Sequence, residues 1–361
     1  MNRRACRRTA TVVAAISLAA VVAGCSQKSG TTASSGGGDK AKVAFLMPDE
    51  ASTRYEEHDR PGFVAQMKKD CPGCGVVYGN ADGDASKQQQ QFNSALAQGA
   101  KAIVLDPVDS TAAASMIEAA HARHVYVLAY DRPIPQATAD YYVSFDNEKI
   151  GRLIAGSLVD KLKQQQVPAG SGILEVNGSP TDAAAGLIKK GIHEGLAGSG
   201  LKTLAEYDTP DWDPAKAQTW VSGQVTRFGS KIVGTVAAND GTGGGAIAAF
   251  KAGGVTKVPP VTGNDATVAG LQLIIAGDQY NTISKPSEKV AAAAADITVQ
   301  LLKGHHPASR TTLFGAPSTL FTPTVVTQAN LKSVIIDTDI AKAADLCTSD
   351  YATACGRLGI S

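Results

Sequence analysis

An excess of charge of either sign is missing from this chain. In 361 residues, 34 Lys and Arg stand against 33 Asp and Glu, and no basic stripe gathers along any segment. Nucleic acid is therefore not an expected partner. Long apolar runs are absent after the first two dozen residues; none reaches the ~18 needed to span a membrane. Aromatic residues make up only 5%, so an aromatic in a loop carries information. Catalytic signatures are lacking too: there is no GxSxG, no HExxH and no phosphate loop with its Lys. Gly241-Thr242-Gly243-Gly244-Gly245 has the composition of a phosphate cradle. Asn239-Asp240 precede it directly, however, and no Lys-Ser/Thr follows. Together these absences predict a binding protein rather than an enzyme, with no cofactor and no metal.

What is present begins at the N-terminus. Arg3, Arg4, Arg7 and Arg8 form a basic region, and Thr9 to Val22 an apolar stretch of signal-peptide length. It ends in Val22-Ala23-Gly24-Cys25, which resembles the lipobox of bacterial lipoproteins. The expectation is a signal peptide over 1–24 and acylation of Cys25. Residues 26–40, rich in Ser, Gly and Thr, read as a tether between a membrane anchor and a folded domain. Cys6 would leave with the signal. Cys71, Cys74, Cys347 and Cys355 are then an even number in an oxidising compartment, and the close pairs Cys71/Cys74 and Cys347/Cys355 are the expected bridges. Two other readings compete. A redox CxxC normally opens a helix after a strand, whereas this one follows a predicted helix. A zinc site would want a His near the pairs, and none is there.

From Lys40 onward strand and helix signals alternate. Strands are predicted at Val43 to Met47, Gly75 to Tyr78, Ala102 to Leu105 and Val125 to Tyr130. Helices fall between them at Arg60 to Lys69, Asp84 to Gln98 and Ser110 to His121. The pattern then restarts with a helix over Glu148 to Gln165. Strands follow at Gly172 to Val176, Thr203 to Tyr207, Ile232 to Ala237, Val258 to Thr262 and Thr282 to Ser284. The intervening helices are at Asp182 to Leu196, Pro214 to Phe228, Gly244 to Ala252 and Thr267 to Ala276, with a last one at Glu288 to Leu302. Repeated βα units of this kind make doubly wound α/β sheets, and ~320 residues suffice for two domains.

Ligands of such sheets sit beyond the C-terminal ends of the strands. That rule selects Asp106, Asp131, Arg132, Asn177, Asn239, Asp240, Asn264, Asp265 and Lys285. Any one of these has an ordinary reading as a cap or turn former; their convergence from two half-domains favours a site. Carboxylates, amides, an Arg and a Lys together suit hydroxyls, which both donate and accept. Trp212 and Tyr55, in predicted loops, are candidates to stack on a sugar ring, with Trp212 alternatively a packing residue.

Tyr130-Asp131-Arg132, Ser144-Phe145-Asp146-Asn147-Glu148-Lys149, Asn239-Asp240 and Lys285-Pro286 resemble the periplasmic sugar-binding proteins of ABC importers, of the ribose/xylose type and most of all the xylose-binding ones. The likeness runs from about Val43 to Gln328. It implies a type I periplasmic binding fold of two Rossmann-like lobes joined by a three-strand hinge: 41–145 with 285–318, and 146–284 with 319–361. It implies a monosaccharide in the cleft and delivery to a transporter permease; the chain is expected to be a monomer that touches the membrane only through the lipid on Cys25. Carried over by position, Asp131 and Arg132 are hydroxyl ligands of the first lobe. Asn239 and Asp265 belong to the second, Trp212 is the stacking ring, and Lys285 lies near the hinge. Arg54 and Glu56 are the ligands expected from the first loop. Where the family places amides after Asn177-Gly178-Ser179-Pro180-Thr181-Asp182, this chain has Ala183-Ala184-Ala185. Asp182 remains a candidate ligand, and the sugar's identity is less fixed than sugar binding itself. A sensor that presents its ligand to a membrane receptor or kinase shares all these features, and a secreted sugar-processing enzyme is a third reading.

Overall fold

The computed structural model describes residues 40–360. The signal peptide, Cys25 and nearly all of the tether expected from the sequence lie outside them.

The chain opens with β1 (Lys42–Met47), α1 (Arg60–Asp70), β2 (Gly75–Asn80), α2 (Ala85–Ala97), β3 (Ala102–Leu105), α3 (Ala114–His121), β4 (Tyr126–Tyr130) and β5 (Tyr141–Phe145). Alternation along β1 fixes its two faces. Val43, Phe45 and Met47 pack with Phe63 and Met67 of α1. Ala44 and Leu46 pack with Phe92 and Leu96 of α2 and Ile117 of α3. Asp84 caps α2 as its position suggests, accepting from the backbone of Ser86 and Lys87. Ser110 does not cap α3. That helix starts at Ala114, Asp109 takes the free amides of Thr111 and Ala112, and the Ser110 hydroxyl is used elsewhere.

The second half contains α4 (Asn147–Gln164), β6 (Gly172–Asn177), α5 (Ala183–Leu196), β7 (Lys202–Asp208), α6 (Pro214–Phe228), β8 (Ile232–Ala237), α7 (Asp240–Ala252), α8 (Val268–Ala276) and β9 (Asn281–Ser284). After these come α9 (Ser287–Leu302), β10 (Thr311–Leu313), β11 (Ala316–Phe321), β12 (Thr324–Thr327), α10 (Ala343–Leu346) and α11 (Ala352–Arg357). The first sheet has the order β10-β11-β5-β4-β3-β1-β2, parallel except for β10. The second is the parallel set β7-β6-β8, and β12 pairs antiparallel with β9. The predicted strand over Val258 to Thr262 survives only as a single parallel bridge between Thr235 and Val261. Pro259 and Pro260 have no N–H to give a ladder, which stops it there. The Gly-rich run lies inside the first turns of α7, where a Cβ on Gly243 would stand 2.7 Å from the Thr262 carbonyl. Close packing, not a phosphate, accounts for that glycine.

Three segments connect the sheets: β5 into α4, β9 into α9, and β11 into β12. β11 stays paired to β5 through Phe321, and Thr322-Pro323 leads from it into β12. One core cluster runs through both halves, from Phe45 and Tyr130 to Ile154 and Ile188. The Cys71–Cys74 and Cys347–Cys355 sulfurs stand at bonding distance, 1.98 and 2.01 Å. Among the described residues no helix is long and apolar enough to cross a membrane.

Candidate functional site

The carboxyl ends of both parallel sheets face one another across a narrow cleft. Arg54, Asp131, Arg132, Asp182, Trp212, Asn239, Asp265 and Lys285 all line it. Glu56 does not. It is 39% exposed and turned to the outside, where it pairs with Arg60 and accepts from Tyr78 and Asn80. Residues 55–59 form a turn of π-helix, which sends Tyr55, not Glu56, inward beside Arg54. Of the other strand-end candidates, Asn264 reaches the cavity and Asp106, Asn177 and Asp240 do not. Asp106 lies 3.5 Å from Arg132, Asn177 donates to Glu206, and Asp240 binds Thr267 and Gln279.

The charges are arranged in ion pairs. Arg54 lies 2.8 Å from Asp131 and 3.5 Å from Asp59, and Tyr55 also donates to Asp131. Burial pulls the Arg54 pKa down, but Asp131 and Asp59 outweigh it and hold the guanidinium above its usual value. Burial likewise raises Asp131, and Arg54, Lys285 and Arg132 overcome it, so that carboxylate titrates below its ordinary range. Arg132 is shared more widely. It bonds Asp49 at 2.5 Å, donates to the Pro107 carbonyl, and stands 3.2 Å from Asp182 of the opposite sheet. Asp182 itself is pushed up by burial, against the pull of Arg132 and Trp212. Lys285, on the β9–α9 crossing, lies 2.7 Å from Asp265.

Trp212 is buried and both packs and faces the cavity. Its indole donates to Asp182 at 3.0 Å, and its ring lies so close over Gly178 that a Cβ there would meet it at 2.1 Å. Asn239 commits its Oδ1 to capping α7, leaving its Nδ2 for the cavity. Ala184 and Ile188 of α5 complete an apolar stretch of wall.

Sequence reasoning passed over Ser52 and Asn147. Asn147 opens α4 at the first crossing; its Nδ2, and Oδ1 of Asn264, are buried in the wall without a hydrogen-bond partner. Such atoms are rare in folded proteins and ask for a partner. Asn147 lay in a string already singled out, but only as part of a motif.

The sequence matches the periplasmic binding protein domain over residues 43–306. The chain belongs to that family. Over 315 residues it is 34% identical to the D-xylose-binding periplasmic protein of Escherichia coli, covering 85% of this chain and 93% of that one. It is 30% identical to the multiple sugar-binding periplasmic receptor ChvE of Rhizobium radiobacter, again over 85% of this chain and 93% of the relative. A carbohydrate transporter solute-binding protein from Chloroflexus aurantiacus, solved with D-glucose, superposes with a TM-score of 0.75 at 26% identity, covering 84% of this chain and 97% of the other. These relatives are periplasmic or transport binding proteins, not enzymes, and the fold is the type I periplasmic binding fold.

Proposed function

We propose that this protein is an exported receptor for a monosaccharide, which it holds between its lobes and delivers to the permease of an ABC importer. The observation that carries the reading is the cavity wall, where carboxylates, amides, two Arg and a Lys converge from both sheets. Hydroxyls need that mixture of donors and acceptors, and charge-assisted bonds supply the strength. The names of the relatives point the same way. In this reading Arg54, Asp131, Arg132, Asn239, Asp265 and Lys285 bind hydroxyls, with Asn147 and Asn264 added to them. Asp182 holds Arg132 and the stacking ring of Trp212 in place. The lobes divide at 145, 285 and 321. Cys25 carries lipid, which keeps the receptor on the outer side of the membrane.

The sugar is defined in part by what the wall lacks. Ala184 and Ile188 offer no hydrogen bond, so a ligand gains nothing from a hydroxyl on that side and suffers nothing from lacking one. D-xylose is therefore not favoured over every other pentose, hexose or polyol. Calorimetry on the purified protein across a sugar panel tests both statements. Saturable binding of at least one monosaccharide is expected, with xylose equalled or beaten. Tight xylose binding, a hundred-fold ahead of hexoses and polyols, refutes the second statement alone; no binding by any sugar refutes the first.

A further inference from the structure

Glu175 of β6 and Glu206 of β7 are direct partners in a parallel register, with both side chains on the face covered by α5. Like charges in that position repel. Glu175 is also 2% exposed, so its charge has little help from water. Its Oε1 accepts from the Thr203 hydroxyl, and its Oε2 has no hydrogen-bond partner. Into this pair α5 inserts His193. Its Nε2 lies 3.2 Å from Glu175 Oε2 and 3.2 Å from Glu206 Oε1.

We propose that Glu175, His193 and Glu206 form a binding site for a divalent transition ion of the zinc class, independent of the sugar cavity. Glu206 Oε1 already takes Asn177 and Lys189; the oxygen left without a hydrogen-bond partner is Glu175 Oε2, which an ion held between the three ligand atoms would satisfy. Zinc–nitrogen and zinc–oxygen bonds of ~2.0–2.1 Å in a tetrahedron put neighbouring ligand atoms ~3.3 Å apart, which the two His193 contacts match, and all three ligand atoms lie within 4.8 Å of one another. Charge agrees. Lys189 stands 2.9 Å from Glu206 and 2.8 Å from Asp208; with neutral imidazole the three carboxylates exceed that single cation by two. Asn177 donates to Glu206 Oε1 at 2.9 Å and fixes its orientation. His193 is 48% exposed on its side chain, which gives an ion a way in and leaves a tetrahedral position for water. The ion would tie the C-terminal half of α5 to the β6–β7 edge of the sheet.

The test uses the untagged full chain, freed of metal with EDTA and titrated with ZnCl2 without sugar, read by calorimetry and thermal shift. One equivalent should bind and raise the melting temperature. Affinity should fall at least ten-fold in Glu175→Gln and in His193→Ala, the second a half-exposed position where folding is preserved. Co2+ in place of Zn2+ should show the visible absorption of a four-coordinate ion, lost in His193→Ala. A wild-type protein whose stability ignores Zn2+ overturns the proposal. So does Zn2+ binding that His193→Ala leaves intact, since the ion then sits elsewhere.

Discussion

Asp131, Trp212 and Asp265 all adopt left-handed backbone angles, with φ of 55, 57 and 103°. Side chains other than glycine avoid that region, at a cost of about 1–3 kcal/mol each. The neighbours that enforce it are visible at Asp131, whose carbonyl accepts from the hydroxyls of Tyr142 and Ser144. Rigidly aimed carboxylates suit a binding site, and the proposed roles can be separated by substitution. Asp265→Asn removes the charge but keeps the shape beside Lys285, and should weaken sugar binding about ten- to a hundred-fold, as for a lost charged hydrogen bond of about 1.5–3 kcal/mol. Glu56→Ala, outside the cavity, should leave affinity unchanged. Calorimetry on the two variants decides; equal losses would contradict the site as drawn. Asp240 offers a pH test. Burial, with Asp265 adding to it, pushes its carboxyl up from the usual 3.8 to about 7. The folded state thus holds a proton that the unfolded chain has released, so its contribution is full below the unfolded value and is lost as pH rises toward 7. Wild type should gain stability relative to Asp240→Asn as pH falls from 8 to 5. Urea unfolding at several pH values would show a flat difference if Asp240 titrates normally.

Among the elements, the loop before α3 and the turn before α5 meet across the lobes. Ser110 N donates to the Thr181 carbonyl at 3.0 Å, the Ser110 hydroxyl accepts from Ala183 N at 3.1 Å, and Thr181 donates to the Val108 carbonyl. These bonds exist only when the lobes touch, so they stabilise the closed form alone. Ser110→Ala should cost about 1 kcal/mol of closure, or roughly five-fold in ligand affinity, with the ligand-free melting temperature nearly unchanged. A variant that loses thermal stability but no affinity would place Ser110 in ordinary packing. At the other end, Cys347–Cys355 joins α10 to α11, which pack on α8 together with Leu331 and Ile335. The bridge closes a loop of about nine residues, and replacing both cysteines by Ala should lower stability by about 2–3 kcal/mol. Peptide mapping that finds free thiols would remove the basis for that loss.

At the scale of the whole molecule, Arg132 bridges the two lobes. It is bound to Asp49 within the first lobe and stands 3.2 Å from Asp182 of the second. A sugar that adds contacts from both sides gains its full affinity only with the lobes together. Small-angle scattering should therefore show a smaller radius of gyration with a saturating sugar than without. The same radius in both conditions would mean a preformed, rigid site.

Much of this is legible in the amino-acid sequence. Apolar runs punctuated by capping residues and Gly set the βα alternation, and the strand-end rule selected Asp131, Arg132, Asn239, Asn264, Asp265 and Lys285, all of which line the cleft. Those are consequences of local hydrogen bonding and burial, which short segments encode. Long-range pairing is not encoded that way. β5, whose residues drew attention only as a motif, and β10 to β12 owe their place to strands far away in sequence. The inward turn of Tyr55 in place of Glu56 depended on the pitch of a π-helical turn. Asp106, Asn177 and Asp240 carry the right chemistry at strand ends, yet face other partners. The meeting of Glu175, Glu206 and His193 needed the register of two strands and the rotation of a helix. The sequence by itself determined which segments form units and what chemistry they carry. Only the tertiary structure decided which side chains meet, because a shift of one residue or a fraction of a helical turn moves a group from one face to another.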